Sequence, residues 1–459
     1  MKTFLVLCSV SCVLSTALAQ DWTGPFQLSN DTSADINPSA CREWVDGTAT
    51  RLVWQSNRNG NWDIYSRLCY FQNGNGWEAE MPVCTDSGDD ITPVITPSFD
   101  VMRGWVYWCV WEQRESPTTG RIMAASADAD DTVWSAPVEI GPCPHTSGDS
   151  ARPFVMAIEH ESADTLWAAW TEHDTDGWSV RYSYCTNTTW TAPAVAHVSA
   201  NPIRHARLGR GWSGTAPCPM LAWEESLTIY YSCYVSGAWT SPSTPRMWPS
   251  FTRNPEIISY SAYPWGIGPA LVWESAYDGD TAIYGAWGPD FDSVSRWCDS
   301  APAGNNYTPC GTPAMYTALG NPYWALPVWT SNRGGNLDIY SRLMWSEDDY
   351  VDNDPGEDIN PTLTTIGLTQ NWCIWQSNRT GNWDIWGSYI YSTGIQESRT
   401  PQAANHKLQS SVLRRLPSGA MAFDAMGRRV LNPTSGVYFV QEAQGQAQAQ
   451  AVRKVVIQR

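Results

Sequence analysis

The chain has 459 residues, a net charge of −18 and 28 tryptophans. From Arg399 onward nine Lys/Arg face only Asp424 and Glu442, so this segment carries about +7 and the rest about −25. Such an acidic body excludes nucleic acid as a partner and disfavours adhesion to anionic membranes.

Residues 1–19 read as a secretory leader, with Lys2, an apolar run from Phe4 to Leu14, and Ala17-Leu18-Ala19 ahead of Gln20. No later stretch approaches about 20 apolar residues, so the expectation is an exported chain without a membrane span once the leader is cleaved. Eleven of the 13 cysteines lie beyond the leader, an odd number that leaves one thiol without an intramolecular partner. None forms a C-x-x-C pair, which argues against structural zinc; no metal and no cofactor is expected. Cys298 and Cys310 flank a loop rich in Gly, Asn and Pro and are the expected bridge.

Seven tryptophans then recur, each closing a short apolar run: Trp54, Trp111, Trp170, Trp223, Trp273, Trp329 and Trp375, a mean spacing of 53.5 residues. Within a unit the strand signals come in fours. In residues 89–140 they are Ile91 to Phe99, Trp105 to Trp111, Arg121 to Ala127 and Val133 to Ile140, and no helical apolar stripe competes. Four short antiparallel strands repeated seven times predict a seven-bladed β-propeller over residues 20–392. Outer strands open with Trp and a Pro three residues on, as in Trp134 to Pro137, Trp190 to Pro193 and Trp239 to Pro242. A further copy, Trp22 to Pro25, precedes the first unit, while the seventh lacks an outer strand. Residues 22–28 are therefore expected to complete the last blade and close the ring, removing the exposed sheet edges of an open array.

Three repeats carry Ser-Asn-Arg-x-Gly-Asn-x-Asp-Ile-Tyr at 56–65, 331–340 and, with Trp386 for Tyr, 377–386. This motif resembles the repeats of TolB-like proteins and of prolyl-oligopeptidase-type propellers. The resemblance implies fold, because such propellers serve as platforms, lids and scaffolds alike. Arg58, Arg333 and Arg379 each precede Asp63, Asp338 and Asp384 by five residues. A charge-assisted pair across each hairpin is the expectation, a repeated structural lock rather than a ring of ligand-binding arginines.

Residues 393–406 read as a linker, and residues 407–459 as a small β-sandwich-like module. Asp424 to Arg429, Ser435-Gly-Val-Tyr-Phe-Val440 and Val452 to Arg459 are similar, in order, to the C-terminal sorting domain of type IX secretion. That resemblance implies recognition by secretion machinery at an outer membrane, and a secreted or cell-surface location on a bacterium.

Catalytic motifs are scarce. There is no G-x-S-x-G elbow and no H-E-x-x-H, and Gly209 to Gly214 matches G-x-G-x-x-G only between two strands. Candidates come from repeat position instead, since propeller ligands bind where the innermost strands begin. Asp35, Asp90 and Asp358 open these strands on adjacent blades, and Arg152, Arg207 and Arg253 lie on three consecutive blades opposite. A mouth acidic on one side and basic on the other would orient a zwitterionic or acidic ligand, carbohydrate or protein. Three arginines also resemble the carboxylate-binding cluster of sialidases, although the S-x-D-x-G-x-x-W boxes of that family are missing. The expected function is a non-catalytic binding or surface-interaction module, with no catalytic residue assigned. The alternatives are a glycan-active enzyme, a sialidase-like hydrolase or lyase using the mouth, or a TolB-like envelope scaffold.

Overall fold

The computed structural model describes residues 22–391, except for short inter-strand segments of which 259–268 and 315–323 are the longest, and five strands between Ser411 and Ile457. The chain divides into two units, Met1–Ile395 and Gln396–Arg459. The expected leader and linker lie outside the described residues.

Seven antiparallel sheets follow one another, and no helix occurs among the described residues. Their innermost strands, blades 1 to 7, are Asp35–Arg42, Asp89–Asp100, Phe154–Ile158, Ile203–Trp212, Thr252–Ile258, Asn306–Ala314 and Asp358–Ile366. The seven repeat tryptophans lie on the second strands and are all at most 1% exposed. Each packs against the blade before its own: Trp111 against Val53, Ile64 and Leu68 of blade 1, and Trp375 against Leu326, Val328 and Ile339 of blade 6. Burying one indole per interface is how sheets too small to hold a core of their own become stable together.

Ring closure follows the expectation. Thr23–Gln27 pairs antiparallel with Asp384–Tyr391 of blade 7, Phe26 opposite Gly387 and Gln27 opposite Trp386. Leu28 is 1% exposed in a cluster with Trp54, Trp372 and Ile385, and the Trp22 indole donates to Ser341 Oγ at 3.0 Å. In blade 2 the outer strand runs Val138–Pro144, starting beyond Pro137 rather than at Val133. Proline has no N–H for the ladder, and Trp134 precedes the strand as a buried plug whose indole donates to Ser66 Oγ of blade 1 at 2.9 Å.

The expected Cys298–Cys310 bridge is not formed; both thiols are free. Cys298 lies beyond the outer strand Val294–Arg296 of blade 5, its sulfur beside the Ile283 amide, whereas Cys310 is on the innermost strand of blade 6 at the channel. The Cys298 sulfur lies 3.7 Å from Asn306 Nδ2, at the start of that same strand, four residues before Cys310.

In the second unit, five strands form one sheet, in the order Ser411–Leu413, Val452–Ile457, Gly436–Gln441, Met421–Phe423, Arg429–Val430. The Val452–Ile457 strand pairs antiparallel with Gly436–Gln441 and parallel with Ser411–Leu413.

Leu28→Ala is expected to lower unfolding free energy by about 2–5 kcal/mol in denaturant titration. Phe26→Ala on the same strand, at a half-exposed position, is expected to cost under about 1 kcal/mol.

Candidate functional site

The seven innermost strands share one local device. Asn37, Thr92, Arg152, His205, Asn254, Thr308 and Asn360 each adopt a left-handed backbone, φ between 41° and 54°. Proline follows in every blade except blade 4, where Ala206 stands. The ladder register slips at this point, for example between Ile36 and Ser39 and between Ile359 and Thr362. Six strands thus carry a β-bulge, which bends the strand and re-aims the side chains beside it, and in blade 3 Arg152 stands just before its strand. Threonine, branched at Cβ, is a costly residue for such a conformation.

Hydrogen bonds between blades hold the bulges in place. In five blades a glutamine or glutamate follows the repeat tryptophan and reaches into the next blade: Gln376 Oε1 accepts Asn37 N–H (2.8 Å), Gln55 Oε1 accepts Thr92 N–H (2.7 Å) and Glu274 Oε1 accepts Thr308 N–H (2.6 Å), whereas Thr171 and Thr330 bond within their own blades. Glu112 accepts the Ala151 amide at 2.7 Å. The same acceptors bind the bulge side chain of their own blade: Asn37 Nδ2 donates to Gln55 at 2.9 Å and Asn360 Nδ2 to Gln376 at 3.1 Å. His205 Nδ1 lies 3.2 Å from Glu224 Oε2. Amides and carboxylates therefore link five of the seven neighbouring blade pairs around the axis.

Inside this ring lies a cavity of about 350 Å³, lined by the left-handed residues of all seven blades, the six prolines that follow them and one or two residues beyond. Arg152 and Arg207 lie on its wall. Arg207 Nε binds Glu256 Oε2 at 3.0 Å and its guanidinium stands 5.3 Å from the Phe154 ring centre. Burial, with the charges of Arg207 and Arg204, pulls the Arg152 guanidinium below its ordinary value. Burial also lowers His205 to about 4, against the opposing bond to Glu224, so its imidazole is neutral at physiological pH. Burial raises Glu256, with Arg207 opposing.

No protein-family model and no curated protein sequence matches this chain. Among solved structures it is similar to a protein of unknown function from Dyadobacter fermentans, at 10% identity and a TM-score of 0.48, covering 80% of this chain and 99% of that one. It is similar to the fucose-specific lectin of Aleuria aurantia at 11% identity and 0.43, covering 69% and 94%. An intramolecular trans-sialidase from Ruminococcus gnavus is similar at 10% identity and 0.42, covering 82% and 98%. Identities this low transfer no residue role and no activity.

Of the six mouth residues named from the sequence, Arg152 and Arg207 are brought together at the cavity, and the other four are not on its wall. Asp35, Asp90 and Asp358 are fully buried within their blades. Asp35 binds Arg58 (3.2 Å), Asp358 binds Arg379 (3.0 Å), and Asp90 accepts from the Trp111 indole (2.7 Å). Arg253 binds Glu274 at 2.6 Å. The acidic half of the expected mouth is therefore replaced by Asn37, Thr92 and Asn360. Aligning the prolines rather than the aspartates would have revealed them, because each proline follows the residue that bulges into the channel.

The Arg-x-x-x-x-Asp hairpin pair is replaced as well. Arg58 binds Asp31 (2.6 Å), Asp35 and Glu80 (2.6 Å); Arg333 binds Asp348 (2.6 Å) and Asn306 (2.8 Å); Arg379 binds Asp352 and Asp358. Each guanidinium lies over the aromatic ring that ends its motif, 4.0 Å from Tyr65, 4.4 Å from Tyr340 and 4.5 Å from Trp386. Stacking aims the fork at the passage between blades. Asp63, Asp338 and Asp384 accept instead from Asn61, Asn336 and Asn382. Those asparagines also donate to carbonyls of the incoming link, such as Gly88 and Gly356. The lock is structural, with partners other than those expected.

Burial raises Asp338 to about 6, with the charge of Asp358 adding to the shift. A carboxyl raised in the folded state adds stability that is complete below its unfolded value near 3.8 and lost as pH rises through about 6. Urea midpoints are expected to rise from about pH 7.5 to pH 5, by less in Asp338→Asn than in the parent protein.

Proposed function

We propose that this chain is an exported, non-catalytic binding module whose propeller channel takes an acidic or zwitterionic ligand, a sugar or a protein-borne group, on Arg152 and Arg207. The observation that carries this reading is the convergence of these two arginines, from consecutive blades, on one polar cavity. Arg207 is held by Glu256 and Phe154, so its fork is oriented before a ligand arrives. The bulge amides and hydroxyls of Asn37, Thr92, Asn254, Thr308 and Asn360 offer donors and acceptors for hydroxyl-rich partners around the same wall.

Binding is favoured over glycan cleavage by the carboxylates at hand. Glycoside hydrolysis uses two carboxyl groups about 5–10 Å apart. Among the described residues lining the cavity, Glu256 is the carboxylate, and it is engaged by Arg207. Export rests on the leader pattern of residues 1–19 and on the terminal sorting motifs. The runs Gly436–Gln441 and Val452–Ile457 lie in one small sheet, compatible with a module read by secretion machinery at the bacterial outer membrane.

A glycan array of the purified protein, paired with an assay for reducing ends, tests the reading. Binding to acidic glycans without release is expected, weakened about 10- to 100-fold in Arg152→Ala and in Arg207→Ala. Release that disappears in these variants would replace binding with catalysis.

A further inference from the structure

Two blades bind an arginine to the acids where the chain passes in from the preceding sheet. Arg379 reaches Asp352, Asp354 (4.0 Å) and Asp358 (3.0 Å); Arg58 reaches Asp31 (2.6 Å) and Asp35 (3.2 Å). Strand register identifies the equivalent positions in blade 2. Asp90 faces Gln113 as Asp35 faces Ser56 and Asp358 faces Ser377. Cys84 faces Ile64 as Asp352 faces Ile339. Asp86 accepts the Gly88 amide at 2.9 Å, as Asp354 accepts that of Gly356 at 2.9 Å.

The residue in the arginine's place, two beyond Gln113, is Glu115, and it turns away to Arg121. Arg114 is turned to Glu112 at 2.9 Å. Cys84, Asp86 and Asp90 thus surround a position that a guanidinium fills in blades 1 and 7, and their ligand atoms lie within 4.8 Å of one another. Gln113 donates to Asp86 and, at 3.2 Å, to Asp90 Oδ1, which Trp111 also holds at 2.7 Å. These neutral donors bring no compensating charge. Asp90 Oδ2, on a side chain with no exposure, receives no N–H donor, and the carboxyl's remaining partner is the neutral Cys84 thiol. An ionised carboxylate in that position calls for a cation.

We propose that Cys84, Asp86 and Asp90 bind a thiophilic divalent cation, zinc above all, in place of the missing guanidinium. Tetrahedral zinc with one sulfur at about 2.3 Å and oxygens at about 2.1 Å sets ligand atoms roughly 3.3–3.8 Å apart. Cys84 Sγ and Asp86 Oδ2 are already 3.6 Å apart. Cys84 binds as thiolate, releasing its proton to solvent. Water, or the Gln113 carbonyl after rotation of its amide, completes the shell. Asp86 is exposed and gives the ion its path of entry, and the Trp111 indole orients Asp90 from behind. The site joins blades 1 and 2 and involves neither Arg152 nor Arg207.

The full chain, kept reduced with a non-chelating phosphine, is titrated with zinc alone against a chromogenic chelator. One zinc is expected to bind and to raise the unfolding temperature. Cobalt in its place is expected to give a thiolate charge-transfer band. Cys84→Ser should weaken zinc binding at least about tenfold and abolish the band. Glu115→Arg, which restores the guanidinium of the sister blades, should displace the ion while leaving a folded protein. Cys185→Ser, a buried thiol elsewhere, should bind as the parent does. Absence of zinc binding to the folded parent overturns the proposal, and so does equal binding in Glu115→Arg.

Discussion

A ring of antiparallel sheets exists only if its last member finds a partner for its open edge. Here that partner is the five-residue strand Thr23–Gln27, supplied from the other end of the propeller sequence and laid on Asp384–Tyr391. Everything nearer the axis depends on this. The Gln376 side chain of blade 7 can accept the Asn37 amide of blade 1 only while the two blades are adjacent, and the cavity needs all seven blades around it. The buried Leu28, directly after the strand, ties the closure to the Trp54 and Trp372 interface.

The bulge ring shows how one conformational constraint builds a site. Left-handed residues are uncommon outside glycine, and their strain persists where surroundings over-determine it. In this chain the determinants are the prolines that follow in six blades, and the glutamine or glutamate that follows the repeat tryptophan in five. That acceptor sits between two blades and bonds both, so packing of the indole, spacing of the blades and exposure of the bulge side chains are coupled. Substituting polar identities at the bulge, from Asn37 to Arg152 to His205, changes the chemistry of the channel without changing its frame.

The architecture was legible because its signals are periodic and chemically distinct. Tryptophan recurs at blade spacing, and the Trp-x-x-Pro copy at residue 22 pointed to the borrowed strand. Ring position was legible too, placing Arg152 and Arg207 on neighbouring blades. What was not legible was which residue of Asp-Ile-Asn-Pro faces the axis. Strict alternation assigns faces two residues at a time, and a bulge inserts an extra residue at the very place where the reading was made. The buried aspartates and the arginine locks went astray for a related reason. Sequence spacing pairs Arg58 with Asp63 across one hairpin, whereas cation–π stacking on Tyr65 directs the guanidinium to Asp31 and Asp35 at the junction of blades. Proximity in sequence suggests a Cys298–Cys310 bridge, but it does not say which residue of the strand Asn306–Ala314 meets the Cys298 sulfur; that residue is Asn306.

Closure by the leading strand is most directly tested by amide hydrogen exchange on the native protein. If residues 22–28 are the outer strand of blade 7, their amides are protected and open together with those of 384–391, in one cooperative event. Exchange of residues 22–28 on the timescale of a free peptide, with 384–391 still protected, would contradict the closed ring.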